Sequence, residues 1–211
     1  MTQSPNQPQI ELIPLHDAIV AQRSVTLDVL IRITPPTLPQ DTERPALNLS
    51  LVIDRSGSMG GAKIARYREA ARFAIENLLP SDRLSIILFD NQIETLVPST
   101  LATEKNSLLS QLDQVKARGT TALHAGWVEG GLQVSQYLNP DQLNRVILLS
   151  DGLANVGENR PDEIATDVHG LAQRGVSTTA LGIGDDYSED LLAAMAHSGD
   201  GNFVHIAAAE Q

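Results

Sequence analysis

The chain has 211 residues, no cysteine and a formal net charge of −11, so a disulfide framework, a thiolate zinc site and a cysteine nucleophile are excluded. The acidity also argues against a nucleic-acid binder, which needs a basic face to neutralise phosphate, and against docking on anionic membrane surfaces. Hydrophobic residues at 42% with aromatics at only 3% suit one α/β domain with an aliphatic core.

Residues 1–9 are polar and read as a disordered tail. They lack the basic and apolar regions of a signal peptide, and no apolar run approaches the ~20 residues that span a bilayer, so the expectation is a cytoplasmic protein without membrane insertion. Ile10 to Pro14 and Val25 to Ile33 read as strands, the second from its alternation of apolar and polar residues, and together they make residues 10–45 a β-rich extension. Pro35 to Asp41 reads as a loop. Leu47 to Ile53 is a nearly continuous apolar run, as in a parallel strand buried on both faces. Lys63 to Leu79 carries helical spacing through Ile64, Tyr67, Ala71, Ala74 and Leu78, with Arg66, Arg68 and Arg72 as its solvated side. Beyond it come a strand at Leu84 to Phe89, a turn at Asn91, an antiparallel edge at Ile93 to Val97, and helices at Glu104 to Val115 and Leu123 to Leu138. A strand at Val146 to Leu149, a helix at Asp162 to Arg174 closed by Gly175, a strand at Val176 to Ile183, a helix at Ser188 to Ala196 capped by Ser188, and a short strand at Asn202 to Ile206 complete the order. Alternation of strand and helix predicts a Rossmann-like, doubly wound, mostly parallel sheet with helices on both faces over residues 46–206. Residues 207–211 read as a tail that looks like the start of a helix, as though the chain were part of a longer protein.

Three segments end in oxygen-bearing side chains. Leu51-Val52-Ile53-Asp54 delivers a carboxylate to the turn Arg55-Ser56-Gly57-Ser58-Met59-Gly60, Gly119-Thr120-Thr121 adds hydroxyls, and Leu148-Leu149-Ser150-Asp151-Gly152 repeats an apolar strand ending in Asp and Gly. Hard oxygen donors of this kind suit Mg²⁺ or Mn²⁺, and the scarcity of charged oxygens suits Ca²⁺ less. In the predicted fold both aspartates lie at the carboxyl ends of strands, where such sheets place their ligands.

The Asp-x-Ser-x-Ser, Thr, Asp set resembles the metal-ion-dependent adhesion site (MIDAS) of von Willebrand factor A (VWA) domains. The resemblance implies Asp54, Ser56, Ser58, Thr121 and Asp151 as metal residues, with Thr121 preferred over Thr120 because Gly119-Thr120-Thr121 followed by Ala125-Gly126 fits the family pattern. It implies a bound Mg²⁺, with one position left for a Glu or Asp side chain of a partner protein. The β-rich extension is similar to the arrangement in proteins resembling inter-alpha-trypsin inhibitor heavy chains and their bacterial relatives.

Blander readings stand beside these. Asp54 alone could cap a turn, Ser56 and Ser58 could cap a helix, and Thr121 could be the N-cap of the helix from Leu123. Asp90 reads as a turn residue, His124 as structural, Trp127 as packed between helix and sheet, and Asn155, Glu158 and Asn159 as an ordinary polar loop. The acidic run from Asp185 to Asp190 reads as support for a helix start. The expected function is a metal-bridged protein-interaction module and not an enzyme. The alternatives are a Mg²⁺-dependent phosphoryl-transfer or hydrolytic enzyme, or a VWA subunit docking to an ATPase machine. Gly57 to Lys63 lacks the spacing of a phosphate-binding loop, because Ala62 precedes Lys63 and Ile64 follows it.

Overall fold

A computed structural model describes residues 8–16, 18, 24, 26–35, 44–151, 154–183 and 187–206. Most of the expected tail at residues 1–9, part of the loop from Pro35 to Asp41, Asp185 and Asp186 of the acidic run, and residues 207–211 lie outside the described residues. The chain divides into two units, Met1–Arg44 and Pro45–Gln211.

In the first unit, β1 (Gln9–Pro14) and β2 (Val29–Thr34) form an antiparallel ribbon. Ile10, Leu12 and Pro14 stand opposite Ile33, Ile31 and Val29, which makes one face apolar. Glu11 stands opposite Arg32 on the other face, where Arg32 Nη1 meets Glu11 Oε2 at 3.2 Å. Gln9 therefore belongs to a strand and not to the tail, and β2 starts at Val29 although alternation begins at Val25. A strand lasts only as long as its partner, and β1 offers six positions.

The second unit is a six-stranded sheet in the order β5-β4-β3-β6-β7-β8. Here β3 is Leu47–Asp54, β4 Arg83–Phe89, β5 Ile93–Leu101, β6 Leu143–Ser150, β7 Ser177–Ile183 and β8 Phe203–Ile206. All neighbours run parallel except β5, which pairs antiparallel with β4. The edge strand β5 is longer than the expected Ile93 to Val97 because it continues through Pro98, which an edge tolerates.

Side chains alternate along β3. Leu49, Leu51 and Ile53 enter a core with Ile64, Tyr67, Ala71 and Ile75 of α1 (Ala62–Glu76) and Leu108 and Leu112 of α2 (Lys105–Leu112). Val52 enters the opposite core, with Leu123, Trp127 and Val134 of α3 (Leu123–Ser135), Ile164 and Val168 of α4 (Pro161–Ala172), and Leu191, Leu192 and Met195 of α5 (Glu189–Ser198). On that face β3 offers small polar Ser50, and α3 approaches it closely through glycine. A Cβ on Gly130 would lie 2.3 Å from Val52 Cγ2 and 3.1 Å from Ser50 Oγ. The connection after β3 leads to β4 on one side, and β6 lies on the other, so the carboxyl ends of β3 and β6 flank the switch point of the sheet.

Helix ends differ from the expected ones by a few residues. The first helix stops at Glu76 because Asn77 returns its side chain to Phe73 O at 2.8 Å, and Leu78 is buried from the following turn. Ser188 occupies the N-cap of α5 without making a side-chain capping bond.

Candidate metal centre

Asp54 is the last residue of β3, and Asp151 follows directly on β6. Sheet geometry continues one residue beyond β3, since Arg55 N–H donates to Phe89 O at 2.9 Å. The chain then makes a single 3-10 turn, Gly57–Met59, anchored by the fully buried Met59. This turn points Ser56 and Ser58 the same way, with their Oγ atoms 3.0 Å apart. Ser58 Oγ donates to Asp151 Oδ1 at 2.9 Å, which joins the first loop to the end of β6.

The threonine loop is tied to the serine loop through backbone. Gly57 N–H donates to Gly119 O at 3.0 Å and Arg118 N–H to Arg55 O at 2.6 Å. Gly119 has φ 73°, a left-handed conformation that favours glycine, and a Cβ there would also displace the exposed Asn91 side chain, whose Oδ1 would lie 2.5 Å away. Thr121 is buried and Thr120 exposed. Thr121 N–H donates to Asn155 Oδ1 at 2.9 Å, while its carbonyl accepts from Asn155 and Val156 N–H, both at 3.2 Å. Asn155, expected to be ordinary loop, thus clamps the threonine loop against the segment after β6.

Both Asp54 oxygens are engaged from behind: Oδ1 accepts from Ser56 N–H at 2.7 Å and Oδ2 from Ser150 Oγ at 2.7 Å. Burial raises its pKa from 3.8 to about 6 against those hydrogen bonds, with Asp151 adding a further upward push. Asp151 Oδ2 accepts from Lys63 Nζ at 2.6 Å. Tyr67, one helical turn beyond Lys63, is fully buried and its Oη has no hydrogen-bond partner. Burial first, and then the Asp54 and Asp151 carboxylates, push the Tyr67 hydroxyl upward, which places it in the field of that acidic pair.

The side chains brought together here are the Ser56 and Ser58 hydroxyls and the Asp54 and Asp151 carboxylates, with Thr121 held on the adjoining loop. Among the described residues no group of three or more His, Cys, Asp or Glu side chains gathers to hold an ion. A von Willebrand factor type A domain model matches residues 48–211. The chain belongs to the von Willebrand factor type A domain family. An uncharacterized protein of Synechocystis is 30% identical over 167 residues, covering 77% of this chain and 38% of that protein. Mouse inter-alpha-trypsin inhibitor heavy chain H2 is 26% identical over 171 residues, covering 77% of this chain and 18% of that one. The chain thus spans well under half the length of these relatives. A von Willebrand factor type A structure from Catenulispora acidiphila superposes with TM-score 0.69 at 19% identity, covering 97% of this chain and 47% of that one. Proximal thread matrix protein 1 from the mussel byssus, described with a zinc-occupied MIDAS motif, superposes with TM-score 0.64 at 16% identity, covering 78% of this chain and 44% of that one.

Several partners of the VWA site escaped sequence reasoning. Asp90 is more than a turn residue: it accepts from Gln92 N–H, but it is buried and its Oδ2 also receives Arg55 Nε at 2.9 Å and Arg118 Nε at 2.8 Å. Burial pushes its carboxyl upward, and the bonds from Arg118, Gln92 and Arg55 outweigh that to hold it below the usual value. Arg55 also donates to Glu94 Oε2 at 2.6 Å. Its place inside Asp54-Arg55-Ser56 was the available signal, since a charge there must face either water or a counter-ion. Trp127 is buried between helix and sheet, with its Nε1–H donating to Thr178 Oγ1 at 3.1 Å, and His124 stacks on it while meeting Asp167 at 3.0 Å. Arg72 pairs with Asp113 at 2.6 Å, so that arginine of the solvated side of α1 reaches toward the end of α2.

Proposed function

We propose that this VWA domain is a divalent-cation-dependent protein-interaction module in which Asp54, Ser56, Ser58, Thr121 and Asp151 would hold Mg²⁺, or Mn²⁺ in vitro. The observation that carries the reading is the meeting of the Ser56 and Ser58 hydroxyls, with Ser58 in turn bonded to Asp151, beside a buried Asp54. The donor set fits such an ion. Hydroxyl oxygens are hard donors, two carboxylates supply charge, and Asp54, with both oxygens already accepting from protein, is placed to act through water. The unpartnered Tyr67 Oη gives the same region one more group in need of a partner.

When bound, the cation supplies Lewis acidity toward an anionic ligand. Because the three hydroxyl donors bring no charge, that acidity is little quenched, and an acidic side chain of a partner protein is the matching ligand. The mussel protein of similar fold, described with a zinc-occupied MIDAS motif, supports a metal-binding reading. Likeness to inter-alpha-trypsin inhibitor heavy chains supports a binding role over a catalytic one.

The test measures Mg²⁺ and Mn²⁺ binding calorimetrically for the wild type and for Ser56→Ala with Ser58→Ala, followed by partner retention in Mg²⁺ and in EDTA. The double variant is expected to keep the native circular dichroism and to lose at least about tenfold in metal affinity. Partner retention is expected to vanish both in the variant and in EDTA. Equal metal binding by the variant, or a partner held under every condition, would remove the reading.

A further inference from the structure

We infer that Lys63 is a tethered counter-charge of the centre, one that loosens its hold on the cation and tunes the loaded site to take an anion. This rests on the metal-binding reading above and extends it to a residue outside the donor set.

Lys63 is the second residue of α1, and its Nζ lies 2.6 Å from Asp151 Oδ2. The Asp151 side chain is fully buried, whereas the lysine side chain remains 27% exposed. A buried carboxylate with an ammonium on one oxygen and the Ser58 hydroxyl on the other is neutralised from the protein side. The position of the lysine runs against helix electrostatics. The first turn of a helix favours acids, and α4 and α5 place Asp162, Glu163, Glu189 and Asp190 there, yet the first turn of α1 has no acid and has Lys63 instead. A cation at the positive end of a helix is explained by its partner, and that partner is Asp151.

The charges then decide what the residue does. Asp54 and Asp151 bring −2 when ionised, and Lys63 returns the sum to −1. A divalent cation carries that sum to +1, whereas without the lysine it would end at zero. Lys63 therefore opposes cation entry by charge repulsion and leaves the loaded centre one positive charge for an acidic side chain to neutralise. The two effects are opposite in sign, which separates this role from simple support of the fold.

The experiment uses Mn²⁺ as the probe, by electron paramagnetic resonance and calorimetry, on the full chain as wild type, Lys63→Met, Lys63→Arg, and Ser56→Ala with Ser58→Ala. Acetate is then titrated onto the Mn²⁺-loaded proteins. Lys63→Met is expected to bind Mn²⁺ about tenfold more tightly and, once loaded, to take acetate several-fold more weakly. Lys63→Arg, which keeps the charge, is expected to match the wild type in both. Unchanged or weaker Mn²⁺ binding by a natively folded Lys63→Met overturns the role of the lysine while leaving the centre intact. Failure of the wild type and the serine variant alike to bind Mn²⁺ overturns the centre itself, and the lysine inference with it.

Discussion

Asp54 is fully buried, and its pKa is raised from 3.8 to about 6, so ionising it in the folded protein costs free energy that the unfolded chain does not spend. The folded state binds the extra proton between those two values. Stability from this group is therefore fully present below about pH 4 and lost as pH rises through about 6. About two pKa units at ~1.4 kcal/mol each amount to about 3 kcal/mol. Asp54→Asn keeps the size and planar shape of the side chain. Its amide oxygen can accept from Ser56 N–H, and its NH₂ can donate to Ser150 Oγ once that hydroxyl rotates. The metal-free variant is expected to exceed the wild type in stability by about 3 kcal/mol at pH 8, with the gap closing toward pH 4. For a domain of this size that is about 6–12 °C in melting temperature. Urea or thermal unfolding in EDTA across pH 4 to 8 measures it. A gap that does not change with pH, or a variant less stable than the wild type at pH 8, would refute the burial argument.

Two further perturbations test the scaffold. Gly130→Ala forces a Cβ to within 2.3 Å of Val52 Cγ2, so α3 must lift from β3, and urea unfolding should show a loss of about 1–3 kcal/mol. Asp90→Ala removes the shared acceptor of Arg55 and Arg118 and leaves the buried Arg55 with Glu94 alone. Unfolding should show a loss of about 3 kcal/mol, and a loss under 1 would mean that water or Glu94 already satisfies Arg55.

The legible parts of the chain are those whose signal is local. Leu47 to Ile53 reads as a buried parallel strand because it is rich in Leu, Val and Ile and carries no charge, and its two polar residues, Asn48 and Ser50, are small enough to be buried with them. Asp54 and Asp151 stand at strand ends in the sequence and in the fold, and the Ser56-Gly57-Ser58 spacing converts into two hydroxyls on one side of a single turn. The illegible parts are long-range pairings. Lys63 meets Asp151 across 88 residues, and Arg55 meets Asp90 across 35, separations that no periodicity encodes. Strand β6 begins at Leu143, earlier than the apolar run, because pairing with Leu47 carries Asn144 and Arg145 into the sheet. Asn144 is absorbed there by hydrogen bonds from its side chain to Asn139 O and from Asn48 Nδ2.

The centre is assembled against the stability of the fold, and that bears on why a cation belongs there. Asp54 is a buried acid whose pKa burial raises to about 6, and Tyr67 Oη is buried without a partner in the field of the same carboxylates. Neither feature strengthens a hydrophobic core, and each could be removed by a conservative substitution. The loops around them are tied to one another by Gly57 N–H to Gly119 O, Arg118 N–H to Arg55 O and Thr121 N–H to Asn155 Oδ1. A ligand that binds only the folded state adds about 2.7 kcal/mol at a hundred times its dissociation constant. That is close to the about 3 kcal/mol that ionised Asp54 costs. A divalent cation at ordinary saturation therefore offsets the penalty almost fully. Asp54→Asn lacks the carboxylate charge and is expected to bind Mg²⁺ far more weakly, so, although more stable in EDTA, it should lose most of its advantage over the wild type when both are unfolded in saturating Mg²⁺ at pH 8. An advantage of the same size in Mg²⁺ and in EDTA would mean that ion binding and the ionisation of Asp54 are not coupled.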